Sequence, residues 1–506
     1  MLTRVFTKRI LASAFLAGSL VAGVASANGR YPSAQLLVLD PSDPNRLWLR
    51  ATYGLFTSAD RGCTWHRICE TAPDYLGTED PMFGVLADGT VIGATFHGPT
   101  TTRDHGYSWS TAGPMDDRYV VDLAVQPTDA QRALAMVSAG KADGGFDNQV
   151  WRTADSAKNW TQLEQDLDQD LLLLTLDAAP SLPSRIYVTA VRTTVSDAGA
   201  PVRQGVLVRS DDDGATWKSD LIAGSVDGFE PYLSAIHASD PDKLYVRLRG
   251  PDSAPDLVEN RVVYSADGGK NWQQIFQARA DILGFALAPD GSRVLLGLGD
   301  SRDLNRARPV DPDALGIYAA SAQDHKFART RPGHTGCLTW SPDGVYFCAS
   351  EYPIDKSPGF ELGLTTDEGA TSKQVMHRSS IEGPLVCPAG SSTAMLCDDE
   401  EWIPICKDLG RCDFDSGNYL PYPRGETCSA GAGGTDAGSG GTGGGYIGSG
   451  GTSDAGSTGG NPGAGGSSAS GGCGCGTVTS SRASLTAGLL LALATLGAWS
   501  RQRKRC

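Results

Sequence analysis

The chain has 506 residues, 40 % of them apolar and 8 % aromatic, with a formal charge of −15. Of its 63 glycines, 22 fall in the 48 residues 429–476, so the remainder has ordinary glycine usage, and a collagen-like or wholly disordered protein is excluded. The first 27 residues carry +3 and residues 477–506 carry +5, which leaves −23 between them and argues against nucleic acid as a partner.

The N-terminus has the three parts of a secretory signal: Arg4, Lys8 and Arg9, an apolar run over 10–24, and small residues from Ala25 to Ala27. Cleavage is expected after Ala27. Twelve cysteines in an exported chain then read as disulfides. Four close-spaced pairs are expected to be local staples: Cys63 with Cys69, Cys337 with Cys348, Cys387 with Cys397, and Cys406 with Cys412. No Cys-x-x-Cys occurs and the seven histidines are dispersed, so neither a metal site nor a cofactor is expected.

A repeat organises residues 28–428. Ser58-Ala-Asp60-Arg-Gly62-Cys-Thr64-Trp65 recurs at 102–109, 210–217 and 265–272 around Asp104, Asp212 and Asp267. Weaker copies surround Asp155, where Ala157 replaces the glycine, and Asp367, where Ser372 replaces the tryptophan. Residues 321–328 keep little of it, and a last copy around Asp408 has Cys406 and Cys412 at the hydroxyl positions. Successive copies start 41 to 57 residues apart, close to the roughly 40–50 residues of one four-stranded propeller blade. An apolar run, a Pro or Gly turn and a second apolar run recur in phase with it, as at 36–49 and 236–246, and read as hairpins.

The Ser/Thr-x-Asp-x-Gly-x-Thr-Trp pattern resembles the Asp-box of β-propellers. That resemblance implies an all-β chain folded as a single propeller of seven or eight four-stranded blades. Each box is then a structural turn on the outer rim: the carboxylate accepts backbone N–H groups, the glycine takes a positive φ and the tryptophan covers the hairpin. Asp60, Asp104, Asp155, Asp212, Asp267, Asp367 and Asp408 are expected in that role rather than in catalysis. Cys337 and Cys348 would then face each other across strands A and B of repeat seven, with Cys387 and Cys397 in the matching places of repeat eight.

Residues 429–476 form a flexible linker with a typical span of roughly 40 Å. Cys473 and Cys475 follow, then a short apolar run over 485–499 expected to be helical, and a basic end. Fifteen residues at about 1.5 Å each fall short of a hydrocarbon core of roughly 30 Å. The order of spacer, cysteine, short apolar run and basic tail, over about the last 35 residues with 477–506 as the sorting or anchor segment, resembles the MYXO-CTERM sorting segment of myxobacterial surface proteins. The resemblance implies a sorting protease as partner, Cys473 or Cys475 as the processing and attachment position, and a mature protein on the outer membrane or cell surface.

Asp-box propellers include sialidases, xyloglucan-cleaving enzymes, sortilin-type receptors and photosystem assembly factors. Arg30-Tyr31-Pro32 lacks the isoleucine of the sialidase motif, and the xyloglucanase-like phrase from Asp40 to Asn45 occurs in a chain with one propeller where those enzymes use two. No catalytic residue is singled out, because paired carboxylates are defined by separation in space. The expectation is a surface-attached binding or adhesion module for a glycan or protein, with a sialidase-like or xyloglucanase-like glycoside hydrolase as the alternative. Long polar segments at 141–149, 195–203, 251–260 and 301–313 are where function is expected to reside.

Overall fold

A computed structural model of the chain describes residues 33–397 apart from 76–78, 112, 143, 227, 252–257, 302–308 and 352–357, together with residues 402 and 406. Seven sheets follow one another along the chain, six of them wound as antiparallel strands A-B-C-D from the axis outward and the second as A-B-C. Blade 1 comprises Ala34–Leu39, Leu47–Ala51, Gly54–Ser58 and Trp65–Ile68; blade 2 comprises Phe83–Val85, Val91–Thr95 and Gly98–Thr102. Blade 3 is built from Val120–Val125, Ala133–Gly140, Phe146–Thr153 and Thr161–Gln162, and blade 4 from Leu171–Ala179, Leu182–Val195, Pro201–Ser210 and Lys218–Leu221. Glu230–Ile236, Leu244–Arg249, Asn260–Ser265 and Gln273–Ala278 make blade 5. Asp281–Leu287, Arg293–Gly299, Gly316–Ser321 and Ala328–Pro332 make blade 6, and Cys337–Ser341, Gly344–Cys348, Leu362–Thr365 and Lys373–Met376 make blade 7. Each strand A packs against the next, and that of blade 7 against that of blade 1, so the sheets form a seven-bladed β-propeller.

Blade 2 departs from the four-stranded pattern. Its outer strand is reduced to a single bridge between Thr101 and Ser110, because Gly113, at φ 151°, and Pro114 follow at once and remove the extended, hydrogen-bonding backbone that a strand needs. The core lies between blades. One cluster joins Trp48, Phe83 and Leu123 of blades 1 to 3, another joins Leu49, Trp65 and Leu362 across the seam of blades 7 and 1, and similar clusters fill the other seams.

Six C–D turns share one geometry. In blade 1 Ser58 Oγ accepts from Gly62 N at 2.8 Å and donates to Asp60 Oδ1 at 2.8 Å, while Thr64 donates to the same carboxylate through its N–H at 2.9 Å and its hydroxyl at 2.7 Å. The aspartates at 104, 155, 212, 267 and 367 accept the equivalent backbone N–H at 2.8–2.9 Å. Two successive left-handed residues close each turn, Arg61 and Gly62 in blade 1 at φ 60° and 89°. The glycine is required twice over, since a Cβ at Gly62 would lie 2.5 Å from Val375 of blade 7 and one at Gly106 would lie 2.6 Å from Ile68 of blade 1. These turns therefore wedge each blade against the one before it. Their first left-handed residue extends the contact with charge: Asp213 pairs with Arg152 of blade 3, and Glu368 with Arg293 of blade 6.

Hydrogen bonds from Asn159 and Asn271 hold the carboxyls of Asp155 and Asp267 down at about 2. A folded-state pKa below the unfolded one contributes stability that is complete above about 4 and lost as pH falls through about 2. Thermal melts between pH 2 and 5 should show that loss, with a shallower slope in Asp267→Asn. Identical slopes would remove this turn from the acid response.

The eighth repeat is not a blade. Ile381–Pro384 adds to the outer edge of blade 1, parallel to Trp65–Ile68, and a short helix Ser392–Leu396 follows, capped by Ser391 Oγ. The disulfides follow this path and correct two expected pairings. Cys337 and Cys348 are bridged across strands A and B as expected, but Cys69 is bonded to Cys397 rather than to Cys63, and Cys387 is a free thiol rather than the partner of Cys397. The reason is geometric: the extended strand Trp65–Ile68 stands between Cys63 and Cys69 and alone spans about 10 Å, beyond disulfide reach. A helical turn stands where Cys387 and Cys397 needed paired strands. Cys63 and Cys406 are both oxidised in disulfides, and Cys412, the expected partner of Cys406, lies outside the described residues.

Candidate functional site

In every blade strand A starts, and strands B and C are joined, at the same end of the sheet; the Asp turns lie at the other end. The face carrying the B–C connections also collects the buried charge. At the seam of blades 7 and 1, Glu361 is fully buried between apolar neighbours. Its Oε2 accepts from Ala34 N at 3.2 Å, and its Oε1 accepts from Glu351 N at 3.3 Å and Arg378 Nε at 3.0 Å. Glu351 in turn accepts from Arg378 N at 3.1 Å and lies 2.7 Å from His377 Nδ1. The Arg378 guanidinium stands 5.5 Å from the Tyr53 ring centroid. Burial pushes the Glu361 carboxyl up to about 7, against the pull of Arg378.

A second cluster occupies the seam of blades 4 and 5. Glu230 accepts from Arg203 at 2.7 Å and from the Tyr232 hydroxyl at 3.1 Å, with Arg249 at 3.7 Å, and the Arg247 guanidinium lies 4.8 Å from the Tyr232 ring centroid. At blade 6, Asp281 accepts from Ser301 N and Oγ and from Asn260, and Asp300 N donates to the His334 ring. Arg50 and Asp80, both buried, pair at 2.8 Å between blade 1 and the connection into blade 2. These groups spend their hydrogen bonds joining neighbouring blades, which is what low-dielectric surroundings demand of buried charge.

Nearer the axis, strand A skips one residue in blades 1, 3, 4, 5 and 6, at Gln35, Val121, Leu174, Ser234 and Leu283. Such bulges turn the following side chains, and two of these reach the next blade. Asp122 Oδ2 accepts from Leu176 N at 2.8 Å and Thr175 Oγ1 accepts from Leu233 N at 2.9 Å. Burial raises the Asp122 carboxyl to about 8. The sign is opposite to that of the turn aspartates: a carboxyl with a raised folded pKa binds its proton more tightly in the native state, so stability falls as pH rises from about 4 to 8. Asp122→Asn keeps an acceptor for Leu176 N and should flatten that part of a stability–pH profile measured by urea unfolding. An unchanged profile would assign it to other groups, Glu361 first.

The turn aspartates Asp60, Asp104, Asp155, Asp212, Asp267 and Asp367 do not converge; each stays in its own turn on the opposite face. Asp408, Cys473, Cys475 and Ala27 lie outside the described residues, as do most of the long segments at 251–260 and 301–313. The expected loop at 195–203 is mostly hairpin, with Val195 paired to Pro201, because Thr193, Thr194 and Val195 continue the β-branched alternation of strand B. Asp122 carried the one local signal missed in the sequence, a carboxylate within an apolar strand. Glu361 and Arg378 carried none, since they meet only when strands of blade 7 pair and when Ala34 of blade 1 closes against them. No group of three His, Cys, Asp or Glu side chains suited to a metal occurs among the described residues. No helix among them is long and apolar enough to cross a membrane.

Residues 100–290, well under half of the chain, match the Sortilin-Vps10 family (sortilin, neurotensin receptor 3). No curated protein matches the chain. Among solved structures, the chain is similar to a GH74 xyloglucanase from Xanthomonas campestris at 16 % identity and TM-score 0.37, with 71 % of this chain and 62 % of that one covered. It is similar also to a PL25 ulvan lyase at 10 % identity and TM-score 0.42, covering 69 % and 97 %, and to Kuenenia stuttgartiensis hydrazine synthase at 11 % and 0.42, covering 65 % and 95 %. The chain thus spans less than two thirds of the xyloglucanase, and these likenesses concern the fold.

Proposed function

We propose that the chain is an exported β-propeller of Asp-box type, attached to the cell surface through its C-terminal segment and acting there as a binding or adhesion module. The observation that carries the binding reading is the use of acids on the B–C face. The buried carboxylates Glu361, Asp281 and Asp80 and the half-buried Glu230 are committed to arginines, hydroxyls or N–H groups that join elements of the ring, so they build a stiff platform. Export is supported by the signal-like N-terminus and by the cysteine bridges, one within blade 7 and one tying the segment after it to blade 1, since such bridges persist in oxidising compartments.

The test is made on cells expressing the full chain. Antibody against the propeller should label intact cells, protease shaving should remove the label, and deletion of the chain should reduce adhesion to glycan- or protein-coated surfaces. A label seen only in lysed cells would overturn the surface assignment. Release of new reducing ends from a polysaccharide at steady turnover would replace the binder by the glycoside hydrolase.

The sorting-segment reading has its own expected result: the surface form lacks residues 485–506, and replacing Cys473 and Cys475 by alanine leaves the tail uncut or the protein mislocalised. Intact mass decides it. Recovery of the basic C-terminal peptide from surface material would make the tail a lasting membrane helix.

A further inference from the structure

Among the large apolar side chains that the described residues leave exposed, Tyr119 is the one aromatic ring, at 38 %. It does not stand alone. Its ring stacks on that of Phe96, with centroids 5.1 Å apart and planes 28° from parallel. Phe96 is at the tip of the B–C turn of blade 2 and Tyr119 immediately precedes strand A of blade 3, so the pair sits on the B–C face at the seam of those blades.

The backbone under the pair is fixed from several sides. Phe96 N donates to the buried Glu79 carboxylate at 3.1 Å, and the Thr95 hydroxyl spans the turn to Gly98 O at 2.8 Å. Asp117 N donates to His97 O at 2.8 Å, which ties the connection carrying Tyr119 to the turn carrying Phe96. The Tyr119 carbonyl accepts from Ser138 N of blade 3. Two aromatic residues in connecting segments, one partly open to solvent and both on braced backbone, are the arrangement that binding surfaces use to keep the entropy cost of recognition low.

The surrounding charge selects the ligand. Asp116 and Asp117 are exposed and their carboxylates have no hydrogen-bonded partner among the described residues. Asp74 lies 3.3 Å from His97, and Asp147 pairs with Arg118. Along the segments that carry the rings and those bonded to them, carboxylates therefore outnumber cations, and an anionic chain would be repelled. A neutral sugar suits the site: one face of a pyranose ring presents C–H groups to an aromatic plane, and its hydroxyls donate to carboxylates.

We propose that the open face of the Tyr119 ring, backed by Phe96 stacked behind it, is the platform for a pyranose of a neutral glycan, with Asp116 and Asp117 accepting from its hydroxyls. This rests on the binding-module reading and narrows it to a ligand class. The experiment uses the full exported chain on an array of neutral oligosaccharides (β-glucan, xyloglucan and mannan) and anionic ones (polygalacturonate and sulfated glycans). Neutral glycans should bind with little loss in 0.5 M salt, Phe96→Ala and Tyr119→Ala should each weaken binding by tenfold or more, and Tyr119→Phe should retain most of it. Melting curves of the variants establish that the ring is intact. Failure of every neutral glycan to bind, or equal binding by both alanine variants, overturns the platform. Binding of anionic glycans that the alanine variants leave unchanged overturns the platform while the binding-module reading stands.

Discussion

Replacing Cys69 and Cys397 by serine is expected to destabilise the propeller more than replacing Cys337 and Cys348. The first bridge spans 328 residues and the second 11. By the chain-entropy account the long loop contributes about 6 kcal/mol and the short one about 3, values that native strain or residual denatured structure can reduce. Position adds to length. The parallel strand Ile381–Pro384 meets blade 1 over a few residues, and the segment after it is held by Ser392 Oγ and Thr393, which bond Trp109 N and the carbonyl of Gly106 in blade 2. Without the bridge the closing segment rests on those bonds, on the backbone bonds of Leu385 and Thr393 to Arg67 and Tyr107, and on Ile381 and Leu385 packed against the blades, and it should open before the blades do. Urea unfolding followed by hydrogen exchange would show protection lost first across 381–397 and the outer strand of blade 1. Equal destabilisation by the two serine pairs, or uniform loss of protection, would show that the ring closes without Cys69–Cys397.

The turns were legible in the sequence because their chemistry is local. Ser58, Asp60, Gly62 and Thr64 satisfy one another within seven residues, so one glance at spacing was enough to place strand C before the turn and strand D after it. Ala157 shows the tolerance of that local code: its turn keeps the left-handed backbone, at φ 58°, and the carboxylate bonds with alanine in the glycine position. Ring closure was illegible for the opposite reason. Nothing near Cys69 tells it apart from Cys63 as a partner; the choice is made where a segment more than 300 residues later crosses the outer edge of blade 1. The last repeat kept its cysteine spacing but lost strand pairing, and spacing alone does not report which backbone is extended.

The face that carries the candidate site was partly legible. Long polar segments pointed to the B–C connections, yet the groups that give this face its stiffness sit in strand ends. Arg50 reads in sequence as the polar residue after Leu47-Trp48-Leu49, with no hint that its partner lies 30 positions on. Tyr119 and Phe96 read as ordinary apolar residues flanking turns, and only the adjacency of two blades makes them a pair.

Asp80→Ala is expected to be the most damaging single substitution outside the disulfides. Asp80 and Arg50 pair at 2.8 Å with side chains 2 % and 1 % exposed, at the point where the chain leaves blade 1 for blade 2. Removing the carboxylate takes the partner at 2.8 Å away from a guanidinium that stands out of reach of water, and breaking a buried pair by removing one partner typically costs about 3–5 kcal/mol. The pair itself is worth less than that, because desolvating both ions offsets most of their attraction. The double variant Arg50→Met with Asp80→Leu should therefore recover most of the stability lost by Asp80→Ala, whereas two independent sites would add their losses. Urea midpoints of the wild type, Asp80→Leu, Arg50→Met and the double variant form the cycle that decides it, with Asp80→Ala measured beside them. A double variant as unstable as the sum of the singles would mean that Arg50 is held by other groups in the seam, and an Asp80→Ala cost below about 1 kcal/mol would mean that water reaches the guanidinium when the carboxylate is gone.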